Sequence, residues 1–380
     1  MSRSGMLTAR SLSARQHSRV LRRTVRKYQP SPVIARRRRV TVAFMTTQSS
    51  NQAKARILVL HNPDAPELKI LDKLPEGACI VGVGRALADL HDLSEEQWQS
   101  VNVLLNCGSP VKRNLEEVWP HLSNLEWLHS TAAGVEHILF PGLVEGPVTL
   151  TNAKGSFSHS LAEYTLAACN WFAKDFPRLR AQQKARKWEP FNVEELRNRT
   201  MGVVGYGDIG QAAARIARAF GMRIIALRRN PELSDQEKQD CLTVYTPDKL
   251  NKLMGDSDYV VMALPYTQST HHLVNAEAVN AMRPNGVLIN VGRGKTLEQD
   301  AVVKALQEKR IRGAALDVFE TEPLPEDSPL YELDNCLLSP HCADRTASFQ
   351  YEATEQFVEN LERFVKGDEL FNVVDKKRGY

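Results

Sequence analysis

Residues 203–221 read VVGYGDIGQAAARIARAFG: an apolar run, a glycine turn, and an alanine-rich stretch closed by a further glycine. Gly205, Gly207 and Gly210 stand in G-x-G-x-x-G spacing. In a strand–turn–helix unit the first glycine allows a tight turn and the second lets a pyrophosphate approach the backbone. The third brings helix and strand close together. The helix then offers free N–H groups and its positive dipole end to phosphates. Ordinary structural turns also produce this spacing. Here the apolar run before it and the helix after it supply the context that a dinucleotide site requires. Gly205, Gly207, Asp208, Ile209 and Gly210 are the expected cofactor contacts. The shorter GVGR at 82–85 lacks the third glycine and reads as a strand end.

About twenty residues past such a turn, a strand should end on an acid that holds the adenosine ribose. This chain has MRIIALRRN at 222–230, so its strand ends on Arg228 and Arg229. A carboxylate there would accept both ribose hydroxyls of NAD and repel the 2′-phosphate of NADP. An arginine offers a planar donor fork to that phosphate instead. One charge-assisted bond contributes about 1.5–3 kcal/mol, roughly a 10- to 150-fold preference. A solvated basic loop is the bland alternative. The reading is NADP(H), with NAD as the second cofactor.

The glycine turn sits inside a longer alternation of short β-rich runs and helical stretches. RILVLH, ACIVGVG, VNVLLNCG, LEWLHST and VTLTNA precede a long helical stretch from about 158 to 188. Ser160 and Glu163 stand in capping-box spacing at its start,. A second series follows: MGVVGYG, RIIAL, DYVVMALP, GVLINVG, GAALDVFE and NCLLSP. Apolar runs without polar alternation predict parallel strands covered on both faces. A last helix is expected over about 347–365, stopped by Gly367. The fold class is α/β, with two doubly wound parallel-sheet domains. A Rossmann nucleotide domain (158–344) is inserted into a flavodoxin-like substrate domain (51–157 and 345–380), against which the last helix packs.

Composition narrows the function classes. The chain has 380 residues, 42% apolar and 25% charged, and no apolar run long enough to span a bilayer,. Its formal charge of +4 conceals an asymmetry. Residues 1–45 hold eleven Arg, one Lys and no acid, which leaves 37 bases against 45 acids and a net −8 for the remainder. An acidic body argues against a nucleic-acid partner, and nothing points to a membrane. The Arg- and Ser-rich head has the composition of an organellar transit peptide. VTVAF at 40–44 favours the chloroplast, with the mitochondrion second. A disordered basic tail and a nuclear signal at 36–39 are the alternatives, and residues 1–50 are left out of the fold. The six cysteines, Cys79, Cys107, Cys169, Cys241, Cys336 and Cys342, show no metal-ligand spacing and read as reduced thiols,.

Three polar residues fall at successive strand ends, where an open α/β sheet binds its ligands. They are Arg293 in INVGRG, Glu322 in LDVFETEPLP and His341 in LSPHCAD. Reducing a 2-oxo acid needs a cation for the carboxylate and a proton donor that titrates near neutrality. It also needs a carboxylate that orients the donor and raises its pKa. Arg293, His341 and Glu322 fit those roles in that order. Singly, each also fits a structural turn, a solvated loop acid or a satisfied core histidine.

With STAAGVEHI, SLAEYTLA, MGVVGYGDIG, INVGRGKTLEQDAVVKAL, GAALDVFETEPLP and LSPHCADRT in this order, the sequence resembles the D-isomer-specific 2-hydroxyacid dehydrogenase family from Ala55 to Asp375. The resemblance implies that Arg293 binds substrate and that Glu322 pairs with His341, the acid/base. It places Asp317 and Val291 near the nicotinamide and Pro265 and Thr270 near the adenosine side. Cys107, Gly108, Ala133 and Gly134 fall where the substrate carboxylate is gripped. It implies a homodimer as well. Arg228 departs from the acid of NAD-using members and resembles the NADP-preferring glyoxylate and hydroxypyruvate reductases. Glu322 stands where formate dehydrogenases place glutamine, and HCADRT lacks the glycine that often follows the histidine.

The expected function is NADPH-dependent reduction of a small 2-oxo acid to the D-2-hydroxy acid. Glyoxylate and hydroxypyruvate lead, with pyruvate behind. The alternative is a dinucleotide-sensing scaffold like the corepressors of the same fold, which the paired arginines and the transit-like head disfavour.

Overall fold

The computed structural model describes residues 53–107, 112–241 and 243–380. The transit-like residues 1–50 and Gly108 lie outside them. Two parallel sheets organise the rest. The first contains β1 (Ala55–Leu60), β2 (Ala78–Gly84), β3 (Val103–Asn106), β4 (Trp127–Ser130) and β5 (Thr149–Asn152), in the order β2-β1-β3-β4-β5. That is the flavodoxin-like order. The second contains β6 (Thr200–Val204), β7 (Arg223–Leu227), β8 (Thr243–Tyr245), β9 (Tyr259–Met262), β10 (Val287–Asn290), β11 (Gly313–Leu316) and β12 (Cys336–Leu338). Its order, β12-β11-β10-β9-β6-β7-β8, is the Rossmann order with a seventh strand added,.

Successive residues of a strand point to opposite faces, so a strand covered on both sides stays apolar throughout. In the first sheet Leu58, Leu104, Leu128 and Leu150 fill one core. Ile57, Val59, Val103, Leu105 and Trp127 fill the other, beneath Phe357 and Leu361. Phe357 and Leu361 lie on the helix Phe349–Lys366, which Gly367 ends in a left-handed conformation (φ 79°). The chain thus completes its first sheet with its last helix, on the far side of the second sheet in sequence.

The helical stretch after β5 differs from the sequence expectation in two ways. It is two helices, Ser158–Ala173 and Phe176–Ala185. Asp175, at φ 50°, breaks the run, and its carboxylate accepts from the Arg178 N–H at 3.3 Å, with Pro177 inside the new first turn. A proline N1 or N2 position begins a helix and does not continue one. Ser160 also forms no capping box: the helix starts two residues earlier, and its Oγ donates to the Ala343 carbonyl at 2.6 Å.

Candidate active site

The two sheets place their ligand-facing loops at strand C-termini, and the glycine turn is the first of these. Gly205 follows β6 at φ 99°, and its N–H donates to the carbonyl of Leu227 at the end of β7, at 3.0 Å. A Cβ on Gly205 would lie 2.8 Å from the Ala263 carbonyl, so the turn wedges between β6 and β9. A Cβ on Gly210 would lie 2.4 Å from the Gly205 carbonyl, which shows how closely the helix approaches the strand. Over Gly207 the space is open, with nothing within 4 Å. Gly207 is the N-cap of the helix Asp208–Ala219 and has no side-chain cap, so the N–H groups around Asp208 and Ile209 are available,. Asp208 itself accepts from Ser158. Backbone room at Gly207 beside an uncapped helix start fits the pyrophosphate of a dinucleotide.

Arg228 and Arg229 follow β7. Arg228 is already engaged within its own loop: it reaches Glu237 at 2.6 Å and the carbonyls of Asn230 and Glu232. Burial opposes ionisation of Glu237, but hydrogen bonds from Ser234 and from Arg228 hold it below the usual carboxylate range. Arg229 has a different neighbour, the ring of Tyr380, 5.2 Å from its guanidinium carbon. Pro265 and Thr270 form one turn after β9, the Thr270 hydroxyl donating to the Pro265 carbonyl at 2.8 Å. Val291, just past β10, is buried, and its N–H donates to Met262 at 3.0 Å.

Arg293 follows β10 and crosses to the first sheet's side, where it pairs with Glu136. Its guanidinium lies so close over Gly134 that a Cβ there would fall 1.6 Å from a terminal nitrogen. Gly134 is therefore the floor on which the arginine rests. Burial resists the charge on Glu136, but Arg293 outweighs it and keeps the carboxyl below its ordinary range. Ala133 lies next to this floor and accepts from Asn152 at 2.6 Å. Cys107 follows β3 in a buried position, and burial pushes its thiol pKa strongly up.

Glu322 and His341 meet at 2.7 Å, carboxylate to Nδ1. The other carboxylate oxygen of Glu322 accepts from the Phe319 N–H at 2.9 Å, which fixes its orientation. The hydrogen bond that Glu322 accepts raises the His341 pKa against burial. Arg293 acts electrostatically on both residues, so the three charges share one site. His341 sits at φ 50°, a left-handed conformation that disfavours most side chains,. Asp317, buried at the end of β11, holds it there. Its carboxylate accepts from Ser339 and from the N–H groups of Cys342 and Ala343, at 3.0 and 3.1 Å for the latter two. Tyr164, from the helix Ser158–Ala173, reaches Ser339 at 3.1 Å. Sequence reading overlooked Glu136 and Tyr164 and gave Ser160 to a helix cap. Only their partners give them meaning, and those lie far away along the chain.

The structure thus brings Arg293, Glu322, His341 and Gly134 together over the buried Asp317 and sets the glycine turn nearby. Among the described residues no group of His, Cys, Asp and Glu could hold a metal ion.

In sequence and in fold the chain is similar to known proteins. A family model described as D-isomer specific 2-hydroxyacid dehydrogenase, NAD binding domain, matches residues 166–343. A glyoxylate reductase of Korarchaeum cryptofilum is 33% identical over 270 residues, which cover 69% of this chain and 79% of that protein. A D-3-phosphoglycerate dehydrogenase of Methanocaldococcus jannaschii is 30% identical over 322 residues. That match covers 84% of this chain and 59% of that protein. Among solved structures, a D-isomer specific 2-hydroxyacid dehydrogenase from Xanthobacter autotrophicus, in complex with NADPH and MES, superimposes with a TM-score of 0.74. It is 27% identical and covers 86% of this chain and 100% of its own.

Proposed function

Because the chain belongs to the D-isomer-specific 2-hydroxyacid dehydrogenase family, we propose that it reduces glyoxylate or hydroxypyruvate with NADPH, pyruvate ranking behind. It is a 2-oxo acid oxidoreductase with a nicotinamide dinucleotide cofactor. The observation that carries the reading is the His341–Glu322 pair at 2.7 Å in the electrostatic range of Arg293. Support for NADPH comes from the two arginines that follow β7 where an acid would select NAD.

The nicotinamide dinucleotide supplies the hydride when bound. Arg293 holds the substrate carboxylate, and an entering acid competes with Glu136 for it. While ionised, Glu322 can accept but not donate, so it keeps a proton on Nδ1 of His341 and turns Nε2 toward the substrate,. Nε2 of the imidazolium then gives its proton to the carbonyl oxygen as negative charge develops there. Arg293 stabilises the same charge.

The sign of the pH dependence follows from the raised His341 pKa. Reduction needs the protonated ring, so kcat/KM for reduction is level at pH well below the raised value. Above the raised value it falls about tenfold per pH unit. Oxidation of the hydroxy acid shows the mirror image. Glu322→Gln removes the anion and moves the midpoint to lower pH; an unmoved midpoint would exclude His341 as the titrating group.

The reading as a whole is tested by following NADPH and NADH oxidation separately with hydroxypyruvate, glyoxylate and pyruvate. Preference for NADPH with one of the first two is the expected result. Cofactor binding without turnover of any small 2-oxo acid would overturn it and favour a sensing scaffold.

We also propose a homodimer. Phe176, Leu179, Trp188 and Val193 are exposed within one short segment, Trp188 at 94%. A second copy would cover them, and light scattering that returns the mass of one chain would contradict this. Placement in the chloroplast is proposed on the Arg- and Ser-rich head alone, and a fluorescent fusion to residues 1–50 tests it.

A further inference from the structure

The last seven residues are anchored on the first sheet and reach the nucleotide edge of the second. Val374 is buried, and its N–H donates to Leu150 at 2.8 Å. Lys376 donates to the carbonyls of Gly146 and Val148, each at 2.7 Å. Gly379 N–H to Asp375 O at 2.8 Å and Asp375 N–H to Tyr380 O at 3.3 Å close a turn. That turn presents Arg378 and Tyr380 to the loop after β7. Arg228, Arg229, Asn230 and Arg378 together line an open surface cavity of about 500 Å³.

The three arginines are in different situations. Arg228 is committed to Glu237 and to two carbonyls of its own loop. Arg229 has no hydrogen-bond or ion-pair partner among the described residues and rests on the ring of Tyr380. Arg378 has one partner there, Asp375, at 3.2 Å from Nε, which leaves its terminal nitrogens unpaired. Like charges gathered on one cavity repel unless an anion joins them, and planar guanidinium forks suit a phosphate. The cavity also stands in the right place. The end of β7 is hydrogen-bonded to the glycine turn through Gly205 and Leu227, so it borders the adenosine half of a bound dinucleotide,.

We propose that the C-terminal turn forms part of the cofactor site. Arg378, with Arg229 braced by Tyr380, binds a phosphate monoester, the 2′-phosphate of NADP. Arg228 shapes the loop that presents Arg229. Selectivity for the phosphorylated cofactor thus depends on the far end of the chain as much as on the strand that sequence reasoning singles out. The inference deepens the NADPH reading and rests on it.

Calorimetric titration of the full chain with 2′,5′-ADP, 5′-AMP and inorganic phosphate tests it. The wild-type protein should bind 2′,5′-ADP at least tenfold more tightly than 5′-AMP. Arg378→Ala should reduce that ratio about tenfold, and Arg378→Lys less, because the charge stays while the fork is lost. Tyr380→Ala should reduce it severalfold by releasing Arg229. Arg378 is 70% exposed, so its loss leaves the core intact, and Tyr380→Ala gives a second, independent readout. A full wild-type ratio in both alanine variants overturns the proposal while the NADPH reading stands. No wild-type preference for 2′,5′-ADP overturns both. If Arg378→Ala weakens inorganic phosphate but leaves the ratio unchanged, the cavity holds free anions only, and the proposal is likewise overturned.

Discussion

His341→Asn should lower kcat for 2-oxo acid reduction by about 10²–10⁴ and leave the dissociation constant of the cofactor within about threefold. Asparagine suits this test better than alanine. His341 occupies the left-handed region at φ 50°, which asparagine tolerates and alanine resists by roughly 1–2 kcal/mol,. The loop held by Asp317 therefore keeps its shape, and the side-chain amide can still donate to Glu322. What disappears is a proton that ionises near neutrality. Turnover and fluorescence titration of the cofactor, on the same preparation, separate the two effects. Equal losses in both would show that His341 serves the fold of the site and not the chemistry.

Phe357→Ala should destabilise the protein by about 3–5 kcal/mol, the usual range for emptying an aromatic site in a core. Phe357 is fully buried, stacked on Trp127 with ring centroids 5.1 Å apart, and 5.6 Å from the ring of His129. Trp127 and His129 are both tied to the Thr151 hydroxyl at 2.8 Å, which limits how far β4 can collapse into the space left. A hole that cannot close keeps most of its cost. Denaturant unfolding monitored by tryptophan fluorescence gives the number. A loss under about 1 kcal/mol would mean that the last helix merely leans on the first sheet and does not complete it.

Local periodicity made most of this fold legible. Strands buried on both faces are written as short apolar runs, and the runs around Ile57, Val103, Val203 and Ile289 needed no partner to be recognised. β8 escaped because it has only three residues at a sheet edge, the first of them exposed, so burial left no pattern to read. The single long helix expected after β5 was a misreading of legible text: Asp175 and Pro177 are a start signal placed inside an apolar stretch. Ser160 was different. Its spacing to Glu163 is that of a capping box, yet its hydroxyl is drawn away by Ala343, far along the chain. The same limit hid Glu136 behind Arg293 and Arg378 beside Arg229. Chemistry that one residue type can announce, such as a histidine at a strand end, was visible. Chemistry that depends on which distant residue arrives next to it was not.

The return of the last helix to the first sheet also sets a timetable for synthesis. Residues 200–338 are contiguous, so the seven-stranded sheet can close as soon as they leave the ribosome. Leu68 and Leu71 can cover the face of Ile57, Val59, Val103 and Trp127 only in part, because Phe357 and Leu361 are translated after the whole second sheet. At about 5–20 residues per second, the part that Phe357 and Leu361 cover stays open for tens of seconds on a nascent chain. During that interval it is the apolar surface a chaperone would meet, and a message truncated before codon 357 would leave it uncovered for good.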